Sequence, residues 1–368
     1  WLALVNSFAG GSGLNVVVIV NTNSANSLQL GNHYCEQRQV PPQNVLRIGW
    51  TNGNTSWART NFDARVRAPL NALLASRQLT NQIEFVLLSM DIPYRVTEQT
   101  GATDTSGINS TTAVLFYDFK ADGCTTCPAG YPSCNLPSVS SNSYAGSEDI
   151  YRQTAPISAA SNSWLAMMLT SSNLAEAKAI VDRGVASDSS FPTQSVYLIH
   201  YEGDTIRGMR DTKYDDSIFD NRLRGAANVI RVDASSPNAL GYQFGSQFGR
   251  ISFNLSPGLF AAGAMADNLT SFGGYLFESS GHTTALNYSA AGATASYGTV
   301  VEPCAYYEKF PSPRNYFYQA RGFSIAECYY QSLTNPFQGI LVGEPLAAPF
   351  ARPAAGGWNN LPFGAVLN

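Results

Sequence analysis

The chain has 368 residues, a formal net charge of −4, and charged side chains at only 13% of its positions. Nucleic acid is excluded as a partner, because no stretch of Lys and Arg is available to neutralise phosphates. No run reaches the roughly 18 apolar residues that cross a membrane. Ser, Thr, Asn, Gln and Gly must cover the surface, which is typical of exported proteins and opposes self-association only weakly.

The chain starts at Trp1, and we interpret it as a mature form after removal of a signal peptide. We therefore expect a secreted, extracellular or cell-surface protein. An even number of cysteines in such a chain predicts disulfides, although six cysteines allow 15 pairings. The candidates for these bonds are Cys35, Cys124, Cys127, Cys134, Cys304 and Cys328.

The first ninety residues alternate between strand and helix patterns. Apolar runs at 15–20, 45–48 and 83–90 predict buried strands, and residues 24–34 and 62–79 have helical spacing between them. Short connections between such elements favour a parallel sheet with right-handed crossovers.

Residues 97–163 are rich in Thr, Ser, Gly, Cys and Pro, and "TAVLFYDF" is their clearest strand pattern. The cluster "CTTCPAGYPSC" lies in this stretch without a nearby histidine, which favours disulfides over a zinc site. We predict a loop-rich, disulfide-stapled insertion within one α/β domain that spans residues 1–368.

Regular patterns return after the insertion. A helix is predicted over 174–186, followed by strands in "SVYLIHYEGD" and "NVIRVDA". The small-residue run "GLFAAGAMADNLTSFGG" predicts a helix, "GATASYGTV" a strand, "SIAECYYQSL" a helix and "QGILVGEPL" a last strand. The predicted fold is α/β, with a mainly parallel sheet flanked by helices, caspase-like or doubly wound.

Several segments together resemble the exosortase-associated family of exported bacterial proteins. They include "VVVIVNTNSANSLQLGNHYCEQRQVPPQNVLRI", "MADNLTSFGG", "AGATASYGTVVEPC" and "QGILVGEPLAAPF", within a similarity that covers about residues 15–350. The resemblance implies export from a bacterium and a place in its envelope or matrix. It implies no reaction.

A more distant resemblance is to the gingipain-type, caspase-like cysteine peptidases. It is carried by "AGATASYG" and by Gly343, Glu344 and Pro345, where those peptidases have Gly-Asp-Pro. The family's His-Gly pair and its cysteine at the ends of consecutive strands have no counterpart here. His200 is followed by Tyr, and "RISFNLSPG" has Asn254 and Ser256 where a cysteine is expected. The resemblance therefore implies a fold and no chemistry.

Cys–His catalysis requires a thiolate, a base and an orienting group, and the chain has three histidines. His33 and Cys35 are two positions apart on a helix and face different directions. His282 precedes Cys304 by one strand, and Glu278 or Glu302 could orient it. The competing interpretation joins Cys304 to Cys328 in a disulfide. His200 ends a strand, where ligands often bind, or is simply a hydrogen-bonded histidine.

Other motifs give weaker hypotheses. Calcium is an alternative to solvated charges for two groups of carboxylates, Glu202 with Asp204 and Asp211 with Asp215 and Asp216. Glycosylation sequons occur at Asn54, Asn109, Asn254, Asn268 and Asn287. The aromatic stretch "CAYYEKFPSPRNYFYQARGF" suits protein or carbohydrate contact, or folds over its own core.

These patterns favour a non-catalytic exported surface or matrix protein that assembles with copies of itself or with other envelope components, without a cofactor. Two alternatives stay open. One is a cysteine hydrolase or transpeptidase that uses His282 and Cys304, with Glu302 as a further candidate. The other is a carbohydrate-binding protein.

Overall fold

The computed structural model describes residues 12–97, 108–118, 142, 144–146, 148, 164–218, 227–302 and 307–352. Ten strands form one large sheet in the order β2-β1-β4-β7-β13-β12-β11-β10-β8-β9, and three short strands form a second sheet in the order β3-β5-β6. The strands are β1 (Val16–Asn21), β2 (Val45–Ile48), β3 (Ser56–Ala58), β4 (Phe85–Leu88), β5 (Arg95–Thr97), β6 (Asn109–Ser110), β7 (Leu165–Met168), β8 (Val196–His200), β9 (Val229–Asp233), β10 (Gln243–Phe248), β11 (Phe260–Asn268), β12 (Ala295–Thr299) and β13 (Gly339–Gly343).

The described helices surround this sheet in the chain order expected of alternating α/β units. They include α1 (Ala25–Arg38), α2 (Arg59–Phe62), α3 (Ala68–Ser76), α4 (Thr111–Asp118), α5 (Leu174–Ser187), α6 (Ala285–Ala290), α7 (Asn315–Ala320) and α8 (Ile325–Ser332). A π-helical turn at Asp63–Arg67 joins α2 to α3 within the region predicted to be helical, residues 62–79. Pro69 therefore lies in the first turn of α3, where proline is tolerated.

The large sheet is mainly parallel, and β13 interrupts it. In the first half, β2, β1, β4 and β7 are mutually parallel; in the second half, β12, β11, β10, β8 and β9 are mutually parallel. Strand β13 lies between the halves and pairs antiparallel with β12. Arg38, which ends α1 against Gly13 before β1, bonds Glu344 directly after β13, so β13 ends at the edge of the sheet where β1 begins. We call this edge the first-half edge, and the opposite edge, where the strands of the second half end, the second-half edge. The predicted α/β class and mainly parallel sheet are confirmed.

Both faces of the sheet are covered, which explains the continuous apolar strands. Alternate residues of β1 enter different hydrophobic clusters: Val16, Val18 and Val20 pack on one face, while Val17 and Ile19 pack on the other. Ser24 caps helix α1, since its hydroxyl accepts a hydrogen bond from the backbone N–H of Ser27.

Two elements differ from the sequence-based assignment. The predicted strand "TAVLFYDF" is helix α4, buried at every position from Thr111 to Tyr117 and packed against β7 and β13. The predicted helix "GLFAAGAMADNLTSFGG" contains strand β11, flanked on both sides by β10 and β12. Short apolar segments that are buried all round carry no clear periodicity, so their neighbours in the fold decide between helix and strand.

The small residues around β12 allow close backbone approach to loops and to a neighbouring strand. A β-carbon added to Gly298 would collide with the backbone of Gly273 and Gly274. One added to Gly343, where φ is +144°, would collide with Ala295 on the neighbouring strand. These close contacts fix the strand that leads to Glu302.

The disulfide-stapled insertion at 97–163 is not supported. Its described residues form β6, α4 and a few positions near α8, where Asn142 donates to the carbonyl oxygens of Tyr330 and Leu333, both at 2.7 Å. Cys124, Cys127 and Cys134 lie outside the described residues. In the part of the chain that the structure describes, no helix is long and apolar enough to cross a membrane.

Candidate functional site

The second-half edge collects the polar residues of interest. The chain leaves β8 at His200, β10 at Phe248, β11 at Asn268 and β12 at Thr299. The strand order turns back between β8 and β10, since β9 lies outside β8, and such a switch point is the usual ligand position in parallel sheets. The loops that follow these strands build the candidate site.

His282 lies in the loop between β11 and α6 and is half-buried. Its Nδ1 is 2.6 Å from the Oγ1 of Thr270, which follows the carboxyl end of β11 and is only 1% exposed. The Nε of Arg207 donates to the same Thr270 oxygen at 3.4 Å, and Asp204 accepts from Arg207 Nη1 at 2.9 Å. A chain of polar contacts thus runs from Asp204 to the imidazole ring and fixes its position.

The electrostatic surroundings of His282 favour its neutral form. Burial lowers the pKa of its imidazole below the ordinary value of 6.5, and the Arg207 guanidinium lowers it further, whereas Glu302 opposes this shift. No described residue bonds the second ring nitrogen, Nε2. A neutral imidazole with one anchored nitrogen and one free nitrogen is suited to proton transfer.

The end of β12 lies against the same group. Thr299 Oγ1 donates to the carbonyl oxygens of Thr270 at 2.9 Å and Ser271 at 2.7 Å, so the chain that leaves β12 is fixed beside the residue that holds His282. Glu302 follows three residues later, within electrostatic range of the imidazole. Cys304 lies outside the described residues.

The two described cysteines do not support the predicted disulfides. Cys35 and Cys328 carry free thiols. Cys328 is buried on α8, its thiol contacts the carbonyl oxygen of Phe323, and burial raises its pKa well above the ordinary value. Burial also raises the pKa of Cys35 to about 11. Both thiols are therefore poor nucleophiles at neutral pH, and the proposed Cys304–Cys328 bond is not observed.

The other two histidines have acidic partners. His33 Nε2 contacts Asp182 Oδ1 at 2.6 Å and joins α1 to α5, as a structural contact would. His200 ends β8, as predicted, and its Nδ1 is hydrogen-bonded to Asp211. Glu278, the other predicted orienting group, accepts instead from Tyr94 and Arg95.

Three of the five predicted calcium ligands pair with other groups. Asp204 binds Arg207, Asp211 binds His200, and Asp215 lies 3.4 Å from Arg231. Within the described ranges, no group of three or more His, Cys, Asp or Glu side chains is arranged to hold a metal ion. The structure therefore gives the calcium hypothesis no support.

Several surface predictions fall on buried residues. The sequon residues Asn109 and Asn268 are buried, and Asn268 also bonds the backbone of Arg250, so neither is accessible for glycosylation in the folded chain. Asn254 and Asn287 are exposed and Asn54 is half-buried. In the aromatic stretch predicted to contact carbohydrate, Tyr316 and Tyr318 are buried in α7. The described part of that stretch folds over its own core.

Sequence reasoning missed two residues of this site, Thr270 and Arg207. Both lie in segments without a recognisable motif, and Thr270 was assigned to a helix. The corrected assignment of β11 to a strand moves Thr270 to a strand end, where ligand-binding residues are expected.

Comparisons with known proteins do not identify a family for this chain. No protein-family model and no curated protein matches the chain, so the resemblance to the exosortase-associated family stays a prediction. A solved structure called "Structure of Protease" matches with a TM-score of 0.46 and 10% identity, covering 92% of this chain and 79% of that one. A match at this level carries no argument about activity.

Proposed function

We propose that this protein is a cysteine hydrolase or transpeptidase in which His282 is the general base and Cys304 the nucleophile. The observation that carries the proposal is the anchored, neutral imidazole of His282 beside Glu302, two residues before Cys304 in the sequence. The free thiol of Cys328 also removes the disulfide partner that was expected for Cys304.

The proposed reaction assigns a role to each atom. The protonated Nδ1 of His282 donates a hydrogen bond to Thr270 Oγ1. The second lone pair of that oxygen accepts the hydrogen bond from Arg207 Nε. Nε2 then accepts the thiol proton of Cys304 while sulfur attacks an acyl carbon of the substrate. His282 returns that proton to the leaving amine or alcohol. Water or another amine then releases the acyl group from the thioester.

Native, unreduced protein treated with iodoacetamide tests this assignment. We expect alkylation of Cys304 at pH 7, because a neighbouring base increases the thiolate fraction. Cys35 and Cys328 should stay unmodified, since burial raises the pKa of both thiols. Peptide mapping by mass spectrometry identifies the modified cysteine.

His200 provides a matched control, because it is also a partly buried histidine at the second-half edge with an anchored Nδ1. We expect His282→Ala to slow alkylation of Cys304 about tenfold or more, and His200→Ala to leave the rate unchanged. Cys304 that is unreactive before reduction, or equal rates in the two variants, would contradict the proposal.

Export, self-association and carbohydrate binding stay predictions. The two outermost strands of the large sheet do not favour assembly through strand pairing. Exposed charged residues occupy both terminal strands, Arg47 on β2 and Arg231 and Asp233 on β9, and such charges oppose edge-to-edge contacts.

A further inference from the structure

The loop after β2 contains the pair Asn52–Gly53, the one place in the sequence where glycine follows asparagine. Both residues are exposed and lie outside helices and strands. The loop is held at its base, because Trp50 Nε1 donates to the Gly53 carbonyl oxygen at 2.5 Å and the Trp50 N–H donates to Asn21 Oδ1 at 3.1 Å. The pair is therefore an exposed turn on an anchored loop.

Three features leave the Gly53 nitrogen able to attack the Asn52 side chain. In the part of the chain that the structure describes, no group accepts a hydrogen bond from the Gly53 N–H. Gly53 has a φ of +85°, and a β-carbon added to it would meet no atom within 4 Å, so no neighbouring group shields it. The Asn52 amide oxygen accepts a long hydrogen bond of 3.4 Å from the exposed Thr51 hydroxyl, which holds the side chain only weakly.

We propose that Asn52 is a site of spontaneous deamidation, in which the Gly53 backbone nitrogen displaces the side-chain amide. The nitrogen loses its proton and bonds to Cγ of Asn52, the Cγ–Nδ2 bond breaks, and ammonia leaves, so that a five-membered succinimide forms. Water then adds to one of the two succinimide carbonyl carbons and opens the ring. Attack at Cγ gives aspartate at this position, and attack at the main-chain carbon gives isoaspartate. Water is the one co-reactant, and nothing is oxidised or reduced.

The reaction changes the loop in two ways. A carboxylate replaces a neutral amide, which adds one negative charge to the formal net charge of −4. In isoaspartate the main chain passes through the side-chain carbon, so an extra carbon atom separates the loop from Gly53. That insertion displaces the Gly53 carbonyl oxygen from Trp50 Nε1, which it now accepts from. This inference is independent of the proposed function.

Ageing of the native full chain at pH 8 tests the proposal. Trypsin cleaves on both sides of residues 48–59, which contain both Asn52 and Asn54. We expect fragment-ion sequencing to place a mass gain of about 1 Da at Asn52, in two products that separate by chromatography. Asn54, which precedes Thr, and the exposed Asn254, which precedes Leu, are the matched controls and should keep their mass. A sample digested without ageing gives the background.

The synthetic peptide 48–59 shows whether the folded loop permits the reaction. Since the proposal requires no local unfolding, the native chain and the free peptide should deamidate at rates within about tenfold of each other. Gly53→Ala adds a methyl group beside the attacking nitrogen, and in the peptide, where folding plays no part, it should slow the reaction at least about tenfold.

Two results would overturn the inference. One is a native chain in which Asn52 keeps its mass while the free peptide is converted, because the folded loop would then block the attack. The other is a peptide in which Gly53→Ala reacts as fast as the native sequence, because the glycine would then play no part.

Discussion

The carboxyl ends of β1 and β11 are bonded differently. Asn21 ends β1, and its amide bonds the backbone of Trp50 and Asp91, which closes the loops over that strand end. After β11, Thr270 holds one nitrogen of His282, and no described residue bonds the other. The end of a strand can form a site when its polar groups are positioned but not fully hydrogen-bonded.

Each half also buries an arginine–carboxylate pair. Arg38 on α1 binds Glu344 after β13 through Nε at 3.1 Å and Nη2 at 2.6 Å, and also contacts Asp188. Arg210 binds Asp267 on β11, and both are fully buried. The first pair lies at the first-half edge, away from His282, so the two edges can be perturbed separately.

The largest expected effect is on stability at the first-half edge. Arg38→Met leaves the fully buried Glu344 without its cation, and we expect a loss of about 3–5 kcal/mol in the free energy of unfolding. Urea denaturation measures it. Arg47→Met, at an exposed position of β2, should cost less than about 0.5 kcal/mol. A loss below about 1 kcal/mol for Arg38→Met would show that the Arg38–Glu344 pair does not stabilise the folded protein.

The next effect concerns two carboxyl groups near the amino ends of the first-half strands. Burial raises the pKa of Glu84, just before β4, to about 8 and that of Glu327 on α8 to about 7. The folded state holds these protons more tightly than the unfolded state, so stability is full below about pH 4.5 and falls as the pH rises towards 8.

Glu84→Gln should therefore stabilise the protein at pH 8 by about 1–2 kcal/mol and flatten the pH dependence of its unfolding free energy. Glu36→Gln, at an exposed position on α1, should change neither. Thermal unfolding at pH 5 and pH 8 gives the comparison. A native protein that is more stable at pH 8 than at pH 5, with no effect of Glu84→Gln, would contradict the burial argument.

A smaller effect should follow from releasing the imidazole. Thr270→Val keeps the shape of the side chain and removes the hydroxyl that anchors Nδ1, so we expect Cys304 to react about tenfold more slowly with iodoacetamide. The stability cost should be about 1 kcal/mol. Thr270→Ser, which retains a hydroxyl, should restore the rate. If both variants react at the native rate, the hydrogen bond does not position His282.

The smallest effect is a pair of opposite shifts in pH dependence. Arg207→Met removes a cation that lowers the pKa of His282, so the pH above which the imidazole acts as a base should rise. Glu302→Gln removes an opposing anion, so that pH should fall. NMR titration of the His282 ring measures both shifts, with the His200 ring as internal reference. Shifts in the same direction would show that these charges do not face His282.

The sequence alone determined the local pattern of this protein. Apolar runs predicted β1, β2, β4, β8, β9 and β13, and the small-residue run "GATASYGTV" predicted β12. The helices predicted over 24–34 and 174–186 are capped by Ser24 and Asn173, whose side chains accept hydrogen bonds from backbone N–H groups three residues later. The sequence also suggested His282 as a base with Glu278 or Glu302 as its orienting group, and it missed the helix α6 that lies before β12 between His282 and Glu302.

Tertiary structure decided everything that depends on distant neighbours. Residues 260–268 have a composition that fits a helix or a strand, and their position between β10 and β12 makes them a strand. Because residues 260–268 form a strand, Thr270 follows the end of that strand and lies beside His282. The loop after β8 brings Arg207 to the same hydroxyl. The antiparallel pairing of β12 with β13 is also invisible in either segment, because strand direction arises from chain topology and not from side-chain pattern.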